Sequence, residues 1–173
     1  VQHMPASFTG PFAARLDKLG PIRVKEAATG DILEPNHAYV APGGLHLQLR
    51  RHLRGAKVLI REGDPVSGHR PSVDVAMLCA AEIYGDRSLG LIMTGMGRDG
   101  VEGCRAIRAA GGYVLGQDGA TSDVYGMNKA AFQEGHVDRQ FSLDDTAATI
   151  IAQVRKQWPW DRHLACHEQR TMS

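Results

Sequence analysis

The residues best placed to do chemistry are a set of histidines and one aspartate in a glycine-rich turn. Gly95-Met96-Gly97-Arg98-Asp99-Gly100 follows the apolar run Leu89-Gly90-Leu91-Ile92-Met93 and leads into a helical stretch. That places it at the carboxyl end of a buried strand, where open α/β sheets put their reactive loops. Read literally, the turn is a G-x-G-x-x-G, with Asp118 near the end of the next strand, which would make the chain an NAD(P)-dependent enzyme. Asp99 opposes that reading, because a carboxylate among amides meant to hold a pyrophosphate repels it. A dinucleotide fingerprint also usually follows a first strand, whereas strands and a helix precede this one. An ionised carboxylate at such a turn is better suited to orient an imidazole and support the imidazolium, as in Ser-His-Asp hydrolysis. The plainer alternative is that Asp99 caps the helix that follows.

The histidines are His3, His37, His46, His52, His69, His136, His163 and His167. His46 and His52 fall in strand-like sequence and His163 and His167 in a polar tail. His3 and His69 each precede a helix, and pattern alone does not choose between them as the partner of Asp99. None of Ser7, Ser67, Ser72, Ser88, Ser122, Ser142 and Ser173 stands in a Gly-x-Ser turn after an apolar strand, so none is expected to be a nucleophile. The tail segment His163-Leu164-Ala165-Cys166-His167 has no second cluster at ligand spacing, and no metal site is expected.

The elements that must position these residues are legible from periodicity. Residues 9–19 read as a helix with Thr9 as cap, Pro11 in the first turn, and Phe12, Leu16 and Leu19 on one face. Residues 22–60 read as an antiparallel meander: Ile22 to Lys25, Tyr39 to Ala41, Leu45 to Leu49 and Val58 to Ile60, with Gly43-Gly44 and Gly55 at turns. From Pro71 onward helices and strands alternate. Ser72 caps a helix carrying Val75, Leu78, Cys79 and Ile83, and a buried strand spans residues 89–93. A helix at residues 101–110, a strand from Tyr113, a helix capped by Asn128, a strand at 137–141 and a last helix follow. Asp144 or Asp145 caps that last helix, with Ile150, Ile151 and Val154 facing inward. Such alternation implies a parallel sheet flanked by helices.

With 173 residues, 43% hydrophobic and 23% charged, the chain suits one soluble domain. Its 20 Lys+Arg against 19 Asp+Glu leave a net charge of +1, without the basic excess of a nucleic-acid groove. No apolar run approaches the roughly 18–20 residues of a membrane span. Cys79, Cys104 and Cys166, odd in number and widely spaced, point to a reducing, cytoplasmic setting. The opening Val1-Gln2-His3-Met4-Pro5 has neither initiator Met nor basic leader and reads as the interior of a longer sequence.

Several stretches resemble one family in order along the chain. Gln2-His3-Met4-Pro5 with Phe8-Thr9 and Phe12-Ala13-x-Arg15-Leu16, then Val24-x-Glu26-Ala27 and Tyr39-Val40-Ala41-Pro42-Gly43, are similar to CheB-type chemotaxis protein-glutamate methylesterases. So are His69-Arg70-Pro71-Ser72-Val73-Asp74, Thr94-Gly95-Met96-Gly97-x-Asp99-Gly100, Gly111-Gly112, Gln117-Asp118, Ala120-x-Ser122 and Tyr125-Gly126-Met127. Two departures, Asn36 and Asn128, fall where the family has Gly and Pro, and Asn can serve at a turn or helix start.

The resemblance spans about residues 1–155, with residues 156–173 a polar tail. It implies a three-layer α/β/α sandwich with a mostly parallel sheet, beside the meander read above. It implies His3 as general base, Asp99 as its partner and the Met96 N–H as an oxyanion-hole donor, with no metal or organic cofactor. The family's nucleophilic serine lies upstream of the histidine segment, so the first strand–helix–strand unit and a regulatory receiver domain are expected outside this chain. The implied reaction is hydrolysis of glutamyl methyl esters, and deamidation of glutamines, on methyl-accepting chemoreceptors, with the chemotaxis histidine kinase as a further partner. A non-catalytic relative that binds receptor or kinase is the second alternative to the dinucleotide enzyme.

Overall fold

The computed structural model describes residues 1–159. In chain order the elements are α1 (Ala6–Asp17), β1 (Arg23–Glu26), β2 (His37–Val40), β3 (His46–His52), β4 (Gly55–Arg61), α2 (Val73–Tyr84), β5 (Leu89–Ile92), α3 (Val101–Ala109), β6 (Tyr113–Gln117), α4 (Met127–Gln133), β7 (Arg139–Phe141) and α5 (Thr146–Gln157). β5, β6 and β7 pair in parallel in that order, Leu89 opposite Tyr113 and Leu115 opposite Arg139. The expected meander reduces to one antiparallel hairpin, β3–β4, with Leu49 opposite Val58. β1 and β2 instead run parallel, Arg23 opposite His37, because the connecting residues carry the chain back across the pair rather than turning tightly. Asn36 makes that return at φ 60, a left-handed conformation Asn tolerates.

Two apolar clusters hold the fold. One joins Ile92, Val101, Cys104, Ile107, Val114 and Met127, and the other Ala27, Ala41, Leu47 and Val58. α2 bridges them: Val73 and Met77 pack on the first and Ala76 on the second. Its core face therefore runs through Val73, Met77 and Ala81 rather than Val75, Leu78 and Cys79, and Leu78 is exposed. Helix α5 is likewise turned by about one residue from expectation. Its inward stripe is Thr149, Ile150 and Gln153, at the i, i+1, i+4 spacing of one helical face, while Ile151 and Val154 face out.

Caps differ too. Ser72 caps α2, its Oγ accepting from the Val75 N–H at 3.4 Å. Thr9 and Asn128 do not cap; both lie inside helices whose N-caps are Pro5 and Gly126, and both are fully buried hydrogen-bonding hubs. α5 ends at Gln157, two residues past the expected domain boundary. The rest of the expected tail, with His163, Cys166 and His167, lies outside the described residues. No described helix is long and apolar enough to cross a membrane.

Candidate active site

Asp99 sits in the turn between β5 and α3, and its carboxylate points away from α3 toward the N-terminus of α2. One oxygen accepts from Ser72 Oγ at 2.7 Å and the Asp74 N–H at 3.1 Å; the other accepts from the Val73 N–H at 2.7 Å. The cap of α3 is Gly100, at φ 94, so the alternative in which Asp99 merely caps its own helix does not hold. It closes the first turn of α2, where unpaired N–H groups and the helix dipole favour an anion. The side chain is fully buried. Burial alone would raise its pKa, but the bonds from Ser72, Val73, Asp74 and His3 outweigh it and hold the carboxyl below the usual aspartate range.

His3 completes this carboxylate's coordination. Its Nε2 lies 2.7 Å from Asp99 Oδ2, across 96 positions of sequence. An ionised carboxylate can only accept, so Nε2 carries the proton of this bond and Nδ1 is turned to other partners. The segment bearing His3 precedes α1 and is seated by backbone contact. A Cβ on Gly43 would meet Met4 O, and would lie 2.5 Å from Ala6 N and 2.6 Å from the Pro5 carbonyl carbon, so only glycine admits this approach. Thr9 Oγ1, donating to Glu26 Oε1 at 2.5 Å and accepting from the Gly43 N–H at 3.1 Å, ties α1, β1 and the same loop together.

Met96 lies in the same turn as Asp99, with its side chain 77% exposed. The turn is braced from behind: the Gly95 N–H donates to Val124 O and the Met127 N–H to Gly95 O, at 3.0 and 2.8 Å. Thr94 N–H donates to Gln117 Oε1 at 2.9 Å. Among the described residues the Met96 N–H makes no hydrogen bond, so it is free to donate to a ligand. Gly97 is at φ 90, and a Cβ on Gly100 would lie 2.9 Å from Val73. The glycines thus serve this turn and its contact with α2, with no dinucleotide required. His3, Thr94 and Gly95 are among the residues lining a cavity of about 700 Å³, with Leu91 of β5, Tyr39 of β2 and Leu47 of β3.

The sequence that builds this geometry has known counterparts. The sequence pattern described as CheB methylesterase matches residues 1–150. The chain belongs to the CheB methylesterase family. It is 51% identical over 152 residues to a protein of Caulobacter vibrioides named protein-glutamate methylesterase/protein-glutamine glutaminase 1, covering 87% of this chain and 44% of that protein. A Moorella thermoacetica protein-glutamate methylesterase/protein-glutamine glutaminase is 51% identical over 155 residues, 89% of this chain and 37% of that one. The crystal structure of the Thermotoga maritima CheB methylesterase catalytic domain superposes with a TM-score of 0.85 at 36% identity, over 88% of this chain and 81% of that one. The fold is therefore the α/β sandwich of the CheB catalytic domain. The chain spans less than half the length of the curated relatives it matches.

Of the residues singled out from sequence, His3 and Asp99 meet, and Met96 shares the Asp99 turn. Two participants were missed. Ser72 was read as a cap alone, yet the hydroxyl that caps α2 also donates to Asp99. His69, left undecided, does not bond Asp99; its ring stacks on His3, with centroids 3.7 Å apart and planes 3° from parallel. Tyr125 supports the fold, its hydroxyl accepting from Gln140 Nε2 at 3.0 Å and its ring packing over Gly119.

Proposed function

We propose that this CheB-family chain is the histidine- and aspartate-bearing part of a cytoplasmic protein-glutamate methylesterase acting on glutamyl methyl esters of chemoreceptors. The observation that carries the reading is the 2.7 Å bond from His3 to a fully buried carboxylate held in its ionised form. Among the described residues no serine hydroxyl bonds to His3; Ser67, Ser72, Ser88, Ser122 and Ser142 are all committed to other partners. We place the nucleophile in a serine outside these 173 residues, as the family resemblance implies and in accord with the length of the relatives.

In the proposed cycle Nδ1 of His3 takes the serine proton as the serine oxygen attacks the ester carbonyl. Asp99 keeps the ring in the tautomer with the proton on Nε2 and supports the imidazolium. The Met96 N–H donates to the oxyanion. The C–OCH₃ bond breaks, and methanol leaves with the proton held by His3. Water, deprotonated by His3, then cleaves the acyl-serine to release the glutamate carboxylate. The same steps on a glutamine side chain release ammonia.

The test is methanol release from methylated receptor by the full-length protein and by the 173-residue chain alone. Release by the first, abolished by an active-serine label, and none above background by the second is expected. Release by the 173-residue chain that is lost on mutating one of its own serines would overturn the assignment.

A further inference from the structure

We propose that His69 is a positioning residue for the histidine base, its ring held face to face against His3 so that the Nε2–Asp99 bond persists as His3 gains and loses charge. The inference rests on the methylesterase reading for its activity test, and on geometry alone for its spectroscopic one.

The two histidines are held very differently. His3 lies in residues 1–5, which form no regular element, and its ring is fixed at one point by the bond to Asp99. One hydrogen bond leaves a ring free to swing about that contact. His69 closes a tight four-residue turn: its N–H donates to Val66 O at 2.9 Å and its C=O accepts from the Val66 N–H at 3.1 Å. The two central residues, Ser67 at φ 52 and Gly68 at φ 79, are both left-handed, as a type I′ turn requires. The turn is anchored on both sides of His69 as well, since Arg70 O accepts from the Gly44 N–H at 3.1 Å and Ser67 Oγ donates to Asp74 Oδ2 at 3.2 Å. A residue anchored through its backbone turn is thus set against one whose ring is anchored at a single atom.

The His69 imidazole makes no hydrogen bond or ion pair among the described residues, so what it presents is its face and its edge. The face covers His3 at 3.7 Å, and the edge reaches the oxyanion turn, where Nε2 would stand 4.0 Å from a Cβ on Gly97. A flat neighbour on one side removes the tilt that the Asp99 bond leaves open. The same flat contact remains against the imidazolium formed in turnover. Only His3 of the pair reaches a carboxylate, which leaves His69 its ring plane alone to offer. Mere packing would need bulk; positioning needs a flat ring.

That distinction sets the experiment. His69→Phe keeps a flat ring and His69→Leu keeps bulk without one, both in the full-length protein. Expected for His69→Leu is a loss of about tenfold in kcat with KM within about twofold, restored to within about threefold in His69→Phe. In proton–carbon spectra, the His3 ring resonances should lose their ring-current displacement in His69→Leu and keep it in His69→Phe. Wild-type kcat in His69→Leu would overturn the proposal. So would equal losses in both variants, or a rise in KM with kcat unchanged, which would make His69 a substrate contact. A matching fall in thermal midpoint for His69→Leu would reassign it to the fold. If the wild-type protein releases no methanol, the methylesterase reading fails and the spectra alone decide: unchanged His3 resonances in His69→Leu would then refute the stack.

Discussion

Replacing Asp99 by Asn removes one charge and almost no volume, and the structure says which way the amide would turn. If its NH₂ takes the Oδ2 place, it opposes the Val73 N–H, 2.7 Å away, and forces His3 Nε2 to accept, which moves the ring proton to Nδ1. If the NH₂ takes the Oδ1 place, it opposes the Asp74 N–H at 3.1 Å, and the Ser72 hydroxyl reverses to accept. The second arrangement sacrifices the longer bond and keeps the correct tautomer. Catalytic loss then comes from the missing charge, and a fall in kcat of at least about 10²-fold is expected, smaller than a wrong tautomer alone would produce in a serine protease. One buried N–H at the start of α2 is orphaned and the helix loses its anion, together about 2–4 kcal/mol of stability. The carboxyl's pKa is lowered on folding, so its stabilisation is present above the unfolded value and disappears as pH falls through the folded one. The stability gap between wild type and Asp99→Asn should therefore close on acidification. Steady-state methanol release with thermal unfolding across pH is the assay. A kcat within about threefold of wild type would refute the reasoning, leaving Asp99 only a cap for α2.

Asp74 gives the opposite expectation. It is buried with Gly103 N–H on one oxygen and Ser67 Oγ on the other, and burial raises its pKa, with the nearby Asp99 charge adding to the effect. A raised folded pKa stabilises at low pH and costs stability as pH rises from the ordinary aspartate value through the raised one, so Asp74→Asn should gain on wild type by about 1 kcal/mol across that window and hold the gain unchanged above it, read by denaturant unfolding. Gly43→Ala should displace the His3 segment, lowering kcat by tenfold or more and stability by about 1–3 kcal/mol, read by turnover and thermal melting. Burial pushes the Cys104 thiol up to about 12, so alkylation of folded protein should spare it while unfolded protein reacts, as read by peptide mass mapping.

What sequence could show here, and what it could not, follows from the range of the forces involved. The strand–turn–helix around Asp99 is local, written in one apolar run and three glycines, and it was legible. So was the cap at Ser72. The direction of the Asp99 carboxylate was not, because nothing in the 95–100 turn records that the N-terminus of α2, some 25 positions earlier, lies against it. The same holds for β1 and β2, whose alternation is equally good for parallel or antiparallel pairing; long-range packing decides. Thr9 and Asn128 look like caps to any local rule, since short polar side chains near a helix start usually are. Both are instead buried ties, Asn128 Nδ2 donating to Gln117 O at 2.8 Å and Ser122 Oγ at 2.7 Å. The choice between His3 and His69 shows the limit most clearly. Pattern left them equivalent, and the fold uses both: one touches the carboxylate edge-on and the other lies flat against the first. A site of this kind is made by where α2 begins, since that one helix N-terminus holds the anion and follows the turn that carries His69, and the helix itself packs on both halves of the core.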